Sequence, residues 1–191
     1  MIQVIAEHSV DTSLLKEKSK ILDLGCRGFE FTRHFLKEGH TVFPVDIDHL
    51  EGTMSYFKCA IGGENKRVGV NKKENDPQAT AIKEGDDIQM FTIELFTDLL
   101  NDQRKAEIKY WDVIKMDIEG AEIDALMAMT KPMGKQLSIE FHLHTGIYNI
   151  YDVRKVEQHL AKLKYTPVSH EMSDRHGSGM NYWDSLWIFN L

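Results

Sequence analysis

Four carboxylates and one imidazole stand in or at the ends of apolar runs in this chain. Asp23 lies in Ile21–Leu24, Asp46 follows Thr41–Val45, Asp117 follows Trp111–Met116, and Glu140 and His142 close the run that begins at Gln136. Short apolar runs of this kind read as buried strands. A carboxylate at a strand end can accept hydrogen bonds from both hydroxyls of a ribose, or draw a proton from a reacting group. An imidazole has an ordinary pKa near neutrality and suits a general base. Alternation along an extended segment puts Glu140, His142 and His144 on one face. Asp117, Glu140 and His142 are therefore the candidate catalytic residues: His142 as base, Asp117 orienting the reactive end of a cofactor or a substrate hydroxyl. The same three have donor types that suit a divalent ion, but a line of sequence fixes no ligand geometry, and no metal is assigned.

The second feature is a glycine turn. Ile21–Thr32 reads as strand, Gly25-Cys26-Arg27-Gly28 turn, then helix with Phe31 and Phe35 one turn apart. Such a unit brings backbone N–H groups and a helix N-terminus close to a nucleotide-like ligand. Asp46 comes 23 residues after Asp23 and suits a ribose, so the expected ligand contains adenosine. The plainer role for Asp46 is to cap a turn. A dinucleotide wants Gly-x-Gly-x-x-Gly and a helix N-terminus free for its pyrophosphate. Here Phe29 and Glu30 occupy the first turn, and an acid there opposes a pyrophosphate. S-adenosylmethionine has no phosphate and carries a sulfonium and an ammonium, so it tolerates these acids. Asp23 either organises the loop or meets the amino-acid moiety. Cys26 reads as a small packed residue.

Strands must alternate with helices to place these residues together. Residues 1–20 are expected to form a lead-in helix capped by Asp11-Thr12-Ser13. After Asp46, a third strand covers 54–61, residues 62–89 form a polar excursion with one weak strand, and a short helix covers Leu95–Leu100. Trp111–Met116 is a buried strand, Glu119–Met129 a helix, Gln136–Phe141 a strand, and a helix capped by Asp152 follows. Thr166–Met172 and Ser185–Leu191 have no helix between them, so they form an antiparallel hairpin. The expected fold is α/β: one domain over 1–191, a Rossmann-like, mainly parallel seven-stranded sheet ending in that hairpin, with helices on both faces.

Composition narrows the partners. The chain has 191 residues, a net charge of −7 and no long apolar run, which disfavours nucleic-acid backbones and membrane spans. Two cysteines lack disulfide or metal spacing, and residues 1–4 do not read as a signal peptide. A cytoplasmic setting is expected. Oligomeric state is not legible.

Asp112-Val-Ile-Lys-Met-Asp-Ile-Glu-Gly-Ala-Glu122 closely resembles the Ile-Lys-x-Asp-x-Glu-Gly-x-Glu stretch of the FkbM family of S-adenosylmethionine-dependent methyltransferases. Asp23–Thr32 looks like that family's glycine loop, Asp46-Ile-Asp48 like its Glu-Pro-Asp/Asn, and Ala60-Ile-Gly62 and Ser138–His142 have counterparts in order. The resemblance covers roughly 21–142. It implies a class I methyltransferase fold, S-adenosylmethionine as cofactor and a hydroxyl acceptor on a small metabolite or sugar. It also extends the cofactor contacts to Asp23, Gly25, Cys26, Arg27, Gly28, Asp46, Ile47, Ala60, Ile61 and Asp117. Arg27 replaces the family's Asn and Phe29 its Gly, with Gly28 expected to shift the turn by one residue. Substrate is expected against loops near 63–82, 144–150 and 173–184. The alternatives are a catalytically inactive binding module of the same fold, and a nicotinamide-dependent reductase, which the loop disfavours.

Overall fold

The computed structural model describes residues 1–48, 54–73, 76–173 and 182–190. In chain order the elements are β1 (Ile2–Ile5), β2 (His8–Asp11), β3 (Lys20–Leu24), α1 (Glu30–Lys37), β4 (Thr41–Asp46), β5 (Phe57–Lys58), β6 (Ala60–Ile61), β7 (Lys66–Lys73), β8 (Asp76–Phe91), α2 (Ile93–Arg104), β9 (Val113–Met116), α3 (Glu122–Met127), β10 (Gln136–His142), α4 (Ile150–Lys162), β11 (Tyr165–Ser173) and β12 (Tyr182–Phe189). The large sheet has the order β11-β12-β10-β9-β3-β4-β5. The expected sheet is matched in part. Strands β5, β4, β3, β9 and β10 run parallel, while β12 runs antiparallel to both its neighbours, so the sheet is mixed.

Alternation along the central strands divides the core. Leu22, Leu24, Ile114 and Met116 pack on one face with Phe96 of α2, Leu126 of α3 and Val156 of α4. Ile21 and Val113 point the other way and pack with Phe31 and Phe35 of α1 and with Ile5 and Val10. Helices thus cover both faces, but the second face is shared with a hairpin. The expected lead-in helix over 1–20 is not formed. Residues 2–11 make the antiparallel pair β1–β2, and only Thr12–Leu14 turn helically, capped by Asp11. The physical reason is tertiary. The Gln136 side chain bonds the backbone of Asp11 through both N–H (2.8 Å) and C=O (3.1 Å), docking the hairpin on β10. Its two-residue turn, Ala6-Glu7, has φ of 45° and 69° without the Asn or Gly that marks such turns in a sequence.

Three further expectations change. The polar excursion over 62–89 contains a two-stranded ribbon, β7–β8, which with β6 makes a small second sheet around Ala60, Val68, Ile88 and Met90. The helix expected from Glu119 begins only at Glu122, because the Glu122 carboxylate accepts from the N–H groups of Ile118 (3.2 Å) and Gly120 (3.0 Å) and folds 118–121 into a turn. The helix expected to be capped by Asp152 is capped by Asn149, whose side chain accepts from Tyr151 N–H, while Asp152 returns the bond to Asn149 N–H as the third residue of a capping box. No helix among the described residues is long and apolar enough to cross a membrane.

Candidate functional site

The strand order turns back between β3 and β9, and a cleft of about 570 Å³ opens beyond their carboxyl ends. Small-molecule sites occupy this position and this range of size. Every cofactor contact expected from the sequence lines it: Asp23, Gly25, Cys26, Arg27, Gly28, Asp46, Ile47, Ala60, Ile61 and Asp117. Ile82, in the 63–82 segment expected to meet substrate, lines it too, with Ala6 and Glu7 from the N-terminal hairpin turn.

The loop runs hard against the end of β9. Gly25 has φ +79°, and a Cβ there would lie 1.7 Å from the Asp117 carbonyl oxygen, so only glycine fits. Gly28 does not take the left-handed turn as expected. Phe29 does, with φ 57°, at the position where the family has Gly, and its buried ring meets Tyr56 edge-on. Burial of Cys26, then Asp23 and Asp46 nearby, push its thiol far up, which leaves it an inert packing group.

Lys115 ties the loop to the motif strand. It is buried, and its Nζ donates to the carbonyls of Gly25 (2.6 Å) and Leu24 (3.2 Å) and pairs with Asp23 (3.3 Å) and Asp117 (3.2 Å). Burial opposes its charge, but Asp117 and Asp23 outweigh burial and raise its pKa. Asp23 also accepts from Thr32 Oγ1 at 2.5 Å. Of its two expected roles, organising the loop is the one its fully buried position supports.

At the end of β4, Asp46 is buried and accepts from Asp48 N–H (2.9 Å). Burial raises its pKa, partly offset by that bond and by Arg27. Arg27 forms an ion pair with Asp48, and both line the cleft.

The expected catalytic trio meets, but only Asp117 reaches the cleft. His142 Nε2 lies 3.3 Å from Asp117 Oδ1, 3.7 Å from Glu119 and 4.0 Å from Glu140. Its Nδ1 lies 2.6 Å from Glu122 Oε1, and Glu122 Oε2 accepts from Tyr148 OH (2.8 Å). Burial works against charge on His142, yet Glu122 and Asp117 hold its pKa well above the usual value. His142 is buried behind the cleft and clamped by Glu122, so its geometry suits holding Asp117 in place rather than meeting a substrate directly. Glu140 also lies behind the cleft wall. Asp117 is kept ionised: burial opposes this, and Lys115, His142 and His8 outweigh it.

Sequence reasoning missed His8. It projects from β2, nine-tenths buried, with Nε2 3.5 Å from Asp117 Oδ2 and 4.0 Å from Glu140 Oε2. Burial lowers its pKa and favours the neutral ring. Nothing in the segment around His8 signals this placement, since the hairpin docks through Gln136. Lys115 and Glu122 stand inside the Asp112–Glu122 stretch, and a charged residue within a buried strand was the available signal for Lys115. Trp183 and Trp187 both pack in the core. His170 is exposed at the surface, with its ring edge-on to both tryptophan rings. His176 and most of the 173–184 loop lie outside the described residues.

A family model described as "Methyltransferase FkbM domain" matches residues 25–167. Among solved structures, a TehB-like SAM-dependent methyltransferase from Corynebacterium glutamicum is similar at 15% identity, covering 93% of this chain and 84% of that one with a TM-score of 0.47. The Burkholderia thailandensis 1,6-didemethyltoxoflavin-N1-methyltransferase, bound to 1,6-didemethyltoxoflavin and S-adenosylhomocysteine, is similar at 14% identity, covering 92% and 72% with a TM-score of 0.44. No curated protein sequence matches the chain.

Proposed function

This chain belongs to the FkbM methyltransferase family, and from that premise we propose that it methylates a hydroxyl on a small metabolite or sugar. Its cofactor is S-adenosylmethionine. The observation that carries the reading is the charge of the cleft. Seven carboxylates line it (Glu7, Asp23, Glu30, Asp46, Asp48, Asp117 and Glu119) against two cations, Arg27 and Lys115. Such a lining repels a pyrophosphate and suits a molecule with a sulfonium and an ammonium.

When bound, the cofactor supplies an activated methyl group and its own leaving group. Asp46 would hold the ribose hydroxyls, and Ile47, Ala60 and Ile61 would give an apolar bed for the base. The Gly25–Gly28 backbone would lie against the amino-acid end. Asp117 and Glu119, both part-exposed at the cleft, would orient the acceptor hydroxyl and receive its proton. His142, clamped by Glu122, would hold the Asp117 carboxylate in place, and Glu140 would support it from behind. Positioning of this kind supplies much of the rate in a displacement reaction.

A second reading is a non-catalytic binding module. It draws on the Arg27–Asp48 ion pair at the cleft and on Phe29 in the left-handed position. Calorimetric titration with S-adenosylmethionine and separately with NADH, followed by turnover of methyl-labelled cofactor against hydroxylated acceptors, decides between them. Binding of S-adenosylmethionine alone, with transfer to oxygen, is expected. Binding without transfer to any acceptor favours the module, and binding of neither cofactor removes the reading.

A further inference from the structure

We propose that His8, Asp117 and Glu140 together bind one divalent cation, represented by Mn²⁺, in the wall of the cleft beside the acceptor hydroxyl. The acceptor in this statement rests on the function proposed above; the ion does not. The three residues come from β2, the end of β9 and β10, and only the docked hairpin brings the first to the other two.

The donor geometry is that of a shared ion. His8 Nε2 lies 3.5 Å from Asp117 Oδ2 and 4.0 Å from Glu140 Oε2, and one donor atom from each residue lies within 4.8 Å of the other two. The first separation is at the outer limit of a hydrogen bond and the second lies beyond it. Donors at about 2.1 Å from one ion stand about 3 Å apart at right angles and about 4.2 Å apart when opposite. His8 and Glu140 are held in the wall by burial, whereas Asp117 is part-exposed to the cleft, so the open side of the ion faces the substrate.

Charge points the same way. Asp23, Asp117, Glu119, Glu122 and Glu140 gather around one lysine, Lys115, and the His142 ring. That group carries a negative excess that a dication offsets, and a bound ion is often the largest charge in such a site. Asp117 turns its second oxygen to His142, which Glu122 fixes in turn, while Oδ2, the oxygen offered to the ion, also faces Lys115 Nζ at 3.2 Å. Two carboxylates and one imidazole suit Mn²⁺ or Mg²⁺, with Zn²⁺ as a competitor. A hydroxyl directed at the ion loses its proton more readily, and the Glu119 carboxylate receives that proton.

The test titrates the chelator-treated, dialysed protein with MnCl₂, without cofactor, following free Mn²⁺ by electron paramagnetic resonance. One saturable site is expected, weakened by about tenfold or more in both Glu140→Gln and His8→Asn. Absence of saturable binding overturns the proposal, and so does affinity that survives Glu140→Gln, which places the ion elsewhere. Thermal unfolding is recorded for each variant. If His8→Asn does not fold, the isosteric Glu140→Gln decides alone. The same samples are titrated with S-adenosylmethionine. Cofactor binding with no Mn²⁺ site defeats the ion alone, and a Mn²⁺ site lost in Glu140→Gln upholds it even where the cofactor fails to bind.

Discussion

Lys115 Nζ lies 2.6 Å from the carbonyl oxygen of Gly25, so one buried amine joins the glycine loop to the strand that carries the family motif. The same amine pairs with both Asp23 and Asp117. Lys115→Met removes the tether and strands the buried carboxylate of Asp23 beside the part-exposed one of Asp117. Breaking a buried pair by deleting one partner costs about 3–5 kcal/mol. Urea unfolding is expected to show a loss of that order, and a loss near zero would mean that the loop stands without its lysine.

Gly25→Ala and Gly28→Ala should behave differently. A Cβ at Gly25 meets backbone at 1.7 Å and would sit at a φ of +79°, whereas one at Gly28 meets first the end of the Glu30 side chain, which can swing away. Strain at such a backbone position costs roughly 1–3 kcal/mol before the clash is added. Gly25→Ala is expected to abolish cofactor binding or folding, and Gly28→Ala to leave stability within about 1 kcal/mol. Equal effects in thermal unfolding would count against this account of the loop.

Asp46 sets both the strength and the pH range of cofactor binding. Asp46→Asn should weaken S-adenosylmethionine by about 1–3 kcal/mol, the value of hydrogen bonds to a charged group. Burial holds the Asp46 carboxyl above its ordinary pKa of 3.8. Protonation removes acceptor capacity, so affinity is full at neutral pH and falls as pH drops through that raised pKa. The fall therefore begins at a higher pH than for an exposed aspartate. Calorimetry across acidic pH should find it in the native protein and not in Asp46→Asn.

Glu122 caps the turn over 118–121 and clamps His142. Glu122→Gln keeps the shape and removes the charge opposite the buried His142 ring. About 3 kcal/mol of stability should be lost, as when one partner of a buried pair is removed. The turn positions Asp117 and Glu119, so turnover should fall with it. Unchanged denaturant midpoints would show that Tyr148 and the backbone hold the turn unaided.

Much of the site was legible because its residues lie on elements with strong local patterns. The apolar runs at Ile21–Leu24, Thr41–Val45 and Trp111–Met116 can only be buried strands, and parallel strands place their carboxyl ends together. Asp46, Asp117 and the Gly25–Gly28 loop therefore reach one cleft as expected. The ribbon β7–β8 was not legible, because its polar sequence gains its pairing from β6 and the small core at Val68 and Met90.

By itself the sequence determined the family motif, the alternation of strands and helices, the glycine that the loop requires and the acid at the end of β4. These follow from backbone sterics and the period of apolar residues, which act within a few positions along the chain. Tertiary structure alone decided that residues 2–11 form a hairpin, that His8 faces Asp117 and Glu140, and that His142 is buried against Glu122. Those outcomes depend on Gln136 docking the hairpin from 125 residues away and on Glu122 meeting His142 across a turn. Charge and burial at a site are sums over neighbours distant in sequence, and they exist only once the chain has folded.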